Sequence, residues 1–152
     1  MSLEFKINVT GLDEVLKNLN LVGENAKNAA AEAMLTEATN IIYASKAMVP
    51  VDQGTLKGGA IAQAPGGVGG TYVTQPTMTG NKISTEFGYN GPYAARVHEN
   101  PRAGKTEGVS PKGRKYQHWA RVGEFKFLEK PFLAAEAGML QRMAARIKSG
   151  LK

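Results

Sequence analysis

No cysteine occurs among the 152 residues of the chain, which excludes a disulfide framework, a thiolate nucleophile and a cysteine-based zinc site. Long apolar runs are also missing, since none approaches the roughly 20 residues that span a bilayer. The first residues lack the basic segment and apolar core of a signal peptide. We therefore expect a protein that is made in a reducing cytoplasm and is neither exported by a signal peptide nor inserted into a membrane.

Histidine is scarce as well, and the two present, His98 and His118, offer little catalytic or metal-binding chemistry. His98-Glu99 is an adjacent acid and base, but neighbouring residues of a strand point to opposite faces, so we expect these side chains not to meet. No carboxylate cluster lies beside His118, which argues against a metal site. The glycines of residues 64–70 match neither the Walker spacing nor the dinucleotide fingerprint. The sequence thus predicts neither an enzyme nor a metal or cofactor site.

The charge of the chain is unevenly distributed around its total of +6. Residues 1–60 contain five lysines and seven carboxylates, a formal charge of −2, and the remaining residues therefore carry +8. Such an asymmetry predicts a basic surface that meets an acidic partner, either nucleic acid or an acidic protein.

Hydrophobic periodicity predicts a strand and two helices in the first third of the chain. Apolar and polar residues alternate over residues 3–9, as in a half-buried strand, and Thr10-Gly11 ends the alternation. A short helix follows from Leu12. Residues 24–48 have apolar residues mostly every three or four positions, which predicts a helix of about seven turns. Its apolar positions are Ala26, Ala30, Ala33, Met34, Ala38, Ile41, Ala44 and Met48.

The residues after this long helix predict a sharp turn. Pro50 has no amide hydrogen and clashes with the preceding helical turn, so the helix should end near Val49. A carboxylate and a glycine supply turn chemistry just beyond it. The residues of this predicted structural turn are Pro50, Val51, Asp52, Gly54 and Leu56.

The rest of the chain predicts a small sheet and a final helix. Segments 71–74 and 82–89 have the character of two hairpin strands around a turn at 78–81. Pro131 suits the first turn of a helix that continues towards Gly150. The predicted buried stripe of that helix is Leu133, Ala137, Leu140, Ala144 and Ile147.

This order of elements predicts an α+β fold in a single domain, residues 1–152. The expected architecture is an N-terminal strand and short helix, one long helix packed on a small antiparallel sheet, and a C-terminal helix. A long basic loop is expected at about residues 99–121, and a loop of this length in a compact domain is usually functional or disordered.

Cations are concentrated in and around this loop. Seven lie within residues 96–121 against Glu99 and Glu107, with Tyr116 and Trp119 interleaved. Basic side chains beside aromatics suit a nucleic-acid backbone, because phosphate neutralisation supplies affinity that does not depend on sequence. A solvated loop, or one that docks on an acidic neighbour, is the alternative. The seven are Arg96, Arg102, Lys105, Lys112, Arg114, Lys115 and Arg121.

Three motifs and their order resemble one protein family. Residues 44–57 resemble the pattern Ala-x-x-x-x-x-Pro-Val-Asp-x-Gly-x-Leu-Lys/Arg, and residues 93–99 a Tyr-Ala-x-x-Val-x-Glu segment. Pro131-Phe132-Leu133 is similar to a Pro-Phe-Leu segment that opens the last helix. Together with Ile7-x-Val9-x-Gly11-Leu12-Asp13-Glu14 in front, this order resembles the tail-completion or head-tail joining proteins of long-tailed bacteriophages. Asn100-Pro101 departs from the glycine that many relatives place soon after the glutamate.

The resemblance implies a non-enzymatic virion protein located in the neck or tail and made in the host bacterial cytoplasm. It implies a homo-oligomeric ring, expected to be a hexamer, between the head-side connector and the tail tube. Viral DNA would pass through the lumen without sequence-specific contacts. The partners implied are other copies of the chain, the adjacent connector ring, and tail tube or terminator proteins, with no membrane involved.

If the resemblance holds, the functional site is an interface, and the turn at residues 50–56 fixes the angle between the long helix and the sheet. The expected subunit-contact residues are Tyr93, Arg96, His98, Glu99, Pro131 and Phe132. The expected residues facing DNA or the next ring are Arg102, Lys105, Lys112, Arg114 and Lys115.

Other functions remain open from the sequence. A tail terminator or a minor capsid protein of the same virion would use a similar small α+β ring subunit. A free, non-specific DNA-binding protein would use the same basic segment, and it would bind DNA as a monomer in a salt-dependent way.

Overall fold

The computed structural model describes residues 3–18, 23–50, 56–58, 60–66, 69–101, 107–109, 113, 115–117 and 123–150. Within these ranges the first elements are strand β1 (Leu3–Thr10) and helices α1 (Leu12–Asn18) and α2 (Glu24–Met48). They are followed by β2 (Thr71–Val73), β3 (Thr77–Thr79), β4 (Lys82–Tyr89), α3 (Ala94–His98), β5 (Glu107–Val109), β6 (Lys115–Gln117), α4 (Glu129–Glu136) and α5 (Met139–Gly150). The predicted α+β fold is confirmed.

The main sheet is antiparallel and is built around β4. All eight residues of β1 pair with β4, from Leu3 opposite Tyr89 to Thr10 opposite Lys82. On the other side of β4, β2 pairs with its end and β3 with its beginning. The alternation predicted for β1 gives it one apolar face towards the helices, including Leu3 and Ile7, and one polar face towards solvent.

Helix α2 covers the apolar face of the sheet. Its bounds coincide with the predicted helix, and the proline two residues beyond Met48 explains where it ends. Its small buried alanines let the helix lie close to β4. Ser45 Oγ and the Tyr89 hydroxyl share a buried hydrogen bond of 2.8 Å, and burial raises the pKa of Tyr89. This bond gives both buried hydroxyl groups a partner and connects the helix to the sheet.

Two predicted elements differ in the structure. Residues 77–79 form β3 instead of a turn, so the hairpin turn is shorter and lies at Gly80-Asn81. The final helix is two helices, because Ala137 is extended (ψ 113°) and Gly138 has a positive φ of 80°. The predicted buried stripe was therefore wrong at three exposed residues, Leu133 (54%), Leu140 (58%) and Ala137, and was confirmed at Ile147. The residues of α5 that face the core are Met139, Met143 and Ile147.

The predicted basic loop contains a short second sheet. Strands β5 and β6 pair antiparallel, with Glu107 opposite Gln117 and Val109 opposite Lys115. The other residues of 102–122, apart from Gly113, lie outside the described residues. None of the helices in the described ranges is long and apolar enough to cross a membrane.

Candidate subunit-contact surface

The turn predicted after α2 is anchored by contact with a distant segment. Pro50 and Leu56 are both buried, whereas Val51, Asp52 and Gly54 lie outside the described residues. The backbone amide of Glu124 donates a hydrogen bond of 2.8 Å to the carbonyl of Met48. Residues 123–128, which lead into α4, therefore pack against the end of α2.

The segment carrying Tyr93 and Glu99 forms helix α3 and not a strand. The prediction that His98 and Glu99 do not meet was wrong, because helical backbone geometry places His98 Nδ1 2.7 Å from Glu99 Oε1. Tyr93, Arg96 and Glu99 are exposed, so they are accessible to a neighbouring molecule.

His98 is buried and has a partner at each ring nitrogen. Nε2 accepts a hydrogen bond of 3.2 Å from the backbone amide of Glu129, the first residue of α4. The ring proton must then lie on Nδ1, which donates to Glu99. The imidazole also packs edge-on against Phe127, with ring centroids 5.1 Å apart. With both nitrogens used and 1% of its surface exposed, His98 caps α4 and joins it to α3.

Lys126 lies between the two carboxylates of this network. Its Nζ is 2.7 Å from Glu99 Oε2 and 2.7 Å from Glu129 Oε2. Hydrogen bonds from Lys126 and then from His98 lower the pKa of Glu99. The bonds to Glu129 and Glu99 raise the pKa of Lys126. His98, Glu99 and Glu129 have ligand atoms close enough to hold a metal ion, but the ammonium already supplies the positive charge between the two carboxylates.

Removing the Glu99 carboxylate is expected to weaken the acid dependence of stability. A carboxylate whose pKa is lowered on folding stabilises the protein above its unfolded pKa, about 4.3, and that stabilisation is lost as the pH falls through the folded value. Urea unfolding of wild type and Glu99→Gln between pH 6 and pH 3 should therefore converge as the pH falls below about 4. Lys126→Met should remove most of the same pH dependence. Parallel wild-type and Glu99→Gln profiles across this range would contradict the assignment.

A groove of about 340 Å³ lies between α2 and the pair α4 and α5. Its walls are mostly apolar, and its charged end contains Glu37, which is 2% exposed. Arg142 donates two hydrogen bonds to this carboxylate. Its Nη2 lies 2.8 Å from Oε2, and its Nε lies 3.1 Å from the same oxygen. Arg146 Nη1 binds Oε1. The lining residues are Glu37, Asn40, Ile41, Ala44, Pro131, Ala134, Ala135, Arg142 and Arg146.

Arg142 also stabilises the break between the two C-terminal helices. Its guanidinium donates to the carbonyl of Ala137 at 3.1 Å and to that of Ala135 at 2.5 Å. These carbonyls lie at the end of α4, where the last carbonyls of a helix have no intrahelical hydrogen-bond donor. One side chain therefore neutralises Glu37 and terminates α4.

Sequence patterns alone missed this groove. Glu37 and the two arginines are more than 100 residues apart along the chain, and nothing local pairs them. One signal in the sequence was the position of Glu37 between Met34, Ala38 and Ile41, inside the apolar stripe of α2. A carboxylate at a core position requires a cationic or hydrogen-bonding partner.

The predicted contact residues fall into different environments. Pro131 and His98 are buried within the chain, and Phe132 packs on the sheet with its ring centroid 5.5 Å from that of Phe5. Lys115 begins β6. The other predicted DNA-facing residues, Arg102, Lys105, Lys112 and Arg114, lie outside the described residues.

The largest exposed apolar side chains of the described ranges are Tyr43, Met78, Tyr93, Leu133 and Leu140. Two of them, Leu133 and Leu140, belong to the helices that form one wall of the groove. No protein-family model, curated protein or solved structure matches the chain.

Proposed function

We propose that the protein is a structural component of a tailed bacteriophage virion. It forms a ring at the neck that joins the tail to the head-side connector, and DNA passes through the lumen. The observation that carries the proposal is the order and spacing of the three sequence motifs along an α+β chain. The first motif spans the end of α2, the second forms α3 and the third lies in α4.

One connecting segment, residues 123–128, links the three motifs and supports the proposal. Lys126 donates a backbone hydrogen bond of 2.8 Å to the carbonyl of His98, in the second motif. The same connecting segment bonds to Met48, in the first motif, and leads directly into the third. Because this one segment bonds to the first two motifs and continues into the third, the three motifs lie in one region of the fold.

The charge of the chain suits a protein that encloses DNA without reading its sequence. The total is +6, with the excess beyond residue 60. A lumen that carries positive charge attracts the phosphate backbone independently of base sequence. In a ring this charge acts collectively, so an isolated subunit should bind DNA weakly.

Two other functions compete with this one. A tail terminator or minor capsid protein of the same virion would share the ring and differ in its neighbours, which a map of adjacent genes would identify. A free DNA-binding protein is favoured by the seven cations of residues 96–121. It would bind DNA as a monomer, with an affinity that falls steeply with salt.

The mass of the purified protein, measured by light scattering across concentration, tests the proposal. Measurements are made alone and with isolated tail tubes of the phage that encodes the chain. We expect a discrete ring mass or binding to the tubes. A monomer at every concentration that ignores tail tubes and binds DNA would contradict the proposal and favour the free DNA-binding protein.

A further inference from the structure

The groove between α2 and the α4 and α5 pair has unbalanced charge at one end. One buried carboxylate, Glu37, is shared by two guanidinium groups, Arg142 and Arg146. Both arginines are partly exposed, with 42% and 37% of their side chains accessible. The excess is one positive charge beside an otherwise apolar groove. The groove therefore suits an occupant with apolar side chains and one carboxylate.

Of the two guanidinium groups, that of Arg146 has more unused N–H donors. Arg142 already binds Glu37 and the two carbonyls at the end of α4. Arg146 has one partner, Glu37, within the described part of the chain. A carboxylate that enters the groove would find its partner in Arg146.

The chain presents side chains of this chemistry on the same two helices. Leu133 and Leu140 are more than half exposed, and Glu136 lies between them in sequence and is also exposed. Glu136 makes no ion pair with any residue of the described ranges. We refer to Leu133, Glu136 and Leu140 as the leucine ridge.

The ridge and the groove lie on different flanks of these helices. Leu133 is two positions from Pro131 of the groove, and Leu140 is two positions from Arg142. With 3.6 residues per turn, side chains two positions apart point in directions roughly 160° apart. A ridge therefore cannot fill the groove of its own chain. It can fill the groove of a second copy. The resulting pair then has an unoccupied ridge at one end and an unoccupied groove at the other.

We propose that the leucine ridge of one copy docks in the groove of the next, with Glu136 paired to Arg146. The contact is head-to-tail, and such contacts generate closed rings when the rotation between copies closes. This contact rests on the proposed function and deepens it by naming the surfaces that join neighbouring subunits.

Two variants disable the two surfaces separately. Leu133→Ser/Leu140→Ser removes the ridge, and Ala134→Arg fills the groove with a bulky cation. All three positions are exposed, and arginine is a good helix former, so both proteins should fold with a helical circular dichroism spectrum like that of wild type. We expect the ridge variant to weaken self-association roughly 100-fold, because two half-exposed leucines lose their burial. Glu136→Gln should weaken it about fivefold, since it removes one exposed ion pair.

Mixing the two variants is the decisive experiment. Each is expected to be monomeric alone, but the ridge variant keeps an intact groove and the groove variant an intact ridge. Native mass spectrometry of an equimolar mixture with different tags should therefore show a one-to-one dimer and no larger species. A mixture in which no dimer forms, or variants that assemble as wild type does, would overturn the proposed contact. So would a wild-type protein that stays monomeric up to its solubility limit.

The outcome for the contact is separable from that for the neck function. If both variants assemble normally and still bind tail tubes, the contact is wrong and the neck function stands. If the mixture gives the dimer but wild-type rings ignore tail tubes, the contact stands and the neck function is wrong. Variants that assemble normally but lose tail-tube binding would assign the groove to another virion protein and overturn the contact between copies.

Discussion

Replacing Gly88 with alanine is expected to destabilise the protein by about 3 kcal/mol or more, a large part of the stability of a typical domain. A Cβ at this position would lie 2.0 Å from the Leu3 carbonyl oxygen and 2.9 Å from Glu4 Cα. Both are backbone atoms of the neighbouring strand β1, so no side-chain rotation relieves the overlap. Strands β1 and β4 would have to separate where Glu4 pairs with Gly88.

The strand on the other side of β4 is tied to the same position. Tyr72 of β2 pairs with Gly88, and its phenol lies near the Glu4 carboxylate. Burial, and then the negative charge of Glu4, raise the pKa of Tyr72 to about 12. A methyl group at residue 88 would therefore disturb three strands at once.

Urea unfolding followed by circular dichroism measures this effect. The matched control is Gly80→Asn in the hairpin turn, where φ is +58° and no atom of the described residues lies within 4 Å of the place a Cβ would take. Asparagine tolerates this backbone conformation, so the control should stay within about 0.5 kcal/mol of wild type. Equal stabilities for Gly88→Ala and wild type would contradict the close approach of β1 to β4.

Replacing Gly123 with alanine is expected to have the second large effect, because it forces apart the end of α2 and the segment that covers it. A Cβ at this position would lie 2.5 Å from the nitrogen of Pro50, 2.6 Å from its Cα and 2.7 Å from the Met48 carbonyl oxygen. The backbone φ is +101°, which a residue with a side chain rarely adopts. The hydrogen bond from Glu124 to Met48 depends on the same approach.

Gly113→Ala separates the two contributions. Its φ is also positive, +74°, but a Cβ there meets nothing within 4 Å among the residues that the structure describes. The control should lose only the cost of the backbone conformation, about 1 kcal/mol, whereas Gly123→Ala should lose about 3 kcal/mol or more. Chemical denaturation of both variants gives the difference. Equal losses of stability in the two variants would mean that Pro50 is not in close contact with residue 123.

Local sequence patterns predicted the elements whose signals are strong and uninterrupted. The alternation in β1 and the seven-turn periodicity of α2 indicated the right elements, and Pro50 located the end of the helix within two residues. In each case one face of a single element is buried along its length. The spacing of the apolar residues in the sequence then indicates directly which residues are buried.

The C-terminal helices show where periodicity loses its meaning. A regular helix through Gly138 would have buried Leu133 and Leu140, but the break shifts the phase, and Met139 and Met143 join the predicted Ile147 in the core. Leucine and methionine are both good core residues. Only the position of the break decides which set faces inwards, and it depends on Arg142 capping α4 from the next helix.

The site was less predictable than the fold because its contacts join distant residues. The pairing of Glu37 with Arg142 and Arg146 has no local sequence pattern. The contact between His98 and Glu99 was missed because the prediction assumed strand geometry, whereas residues 94–98 form a helix. The leucine ridge follows from the same helix break that defeated the predicted buried stripe.

Electron microscopy of isolated tail tubes mixed with the purified protein tests the neck function most directly. We expect a ring at one end of each tube, because a neck protein meets only the head-proximal end. The leucine ridge variant, which cannot close a ring, should leave the tubes bare at the same concentration. Wild-type protein that leaves both ends bare, or that coats the tubes along their sides, would contradict the neck function.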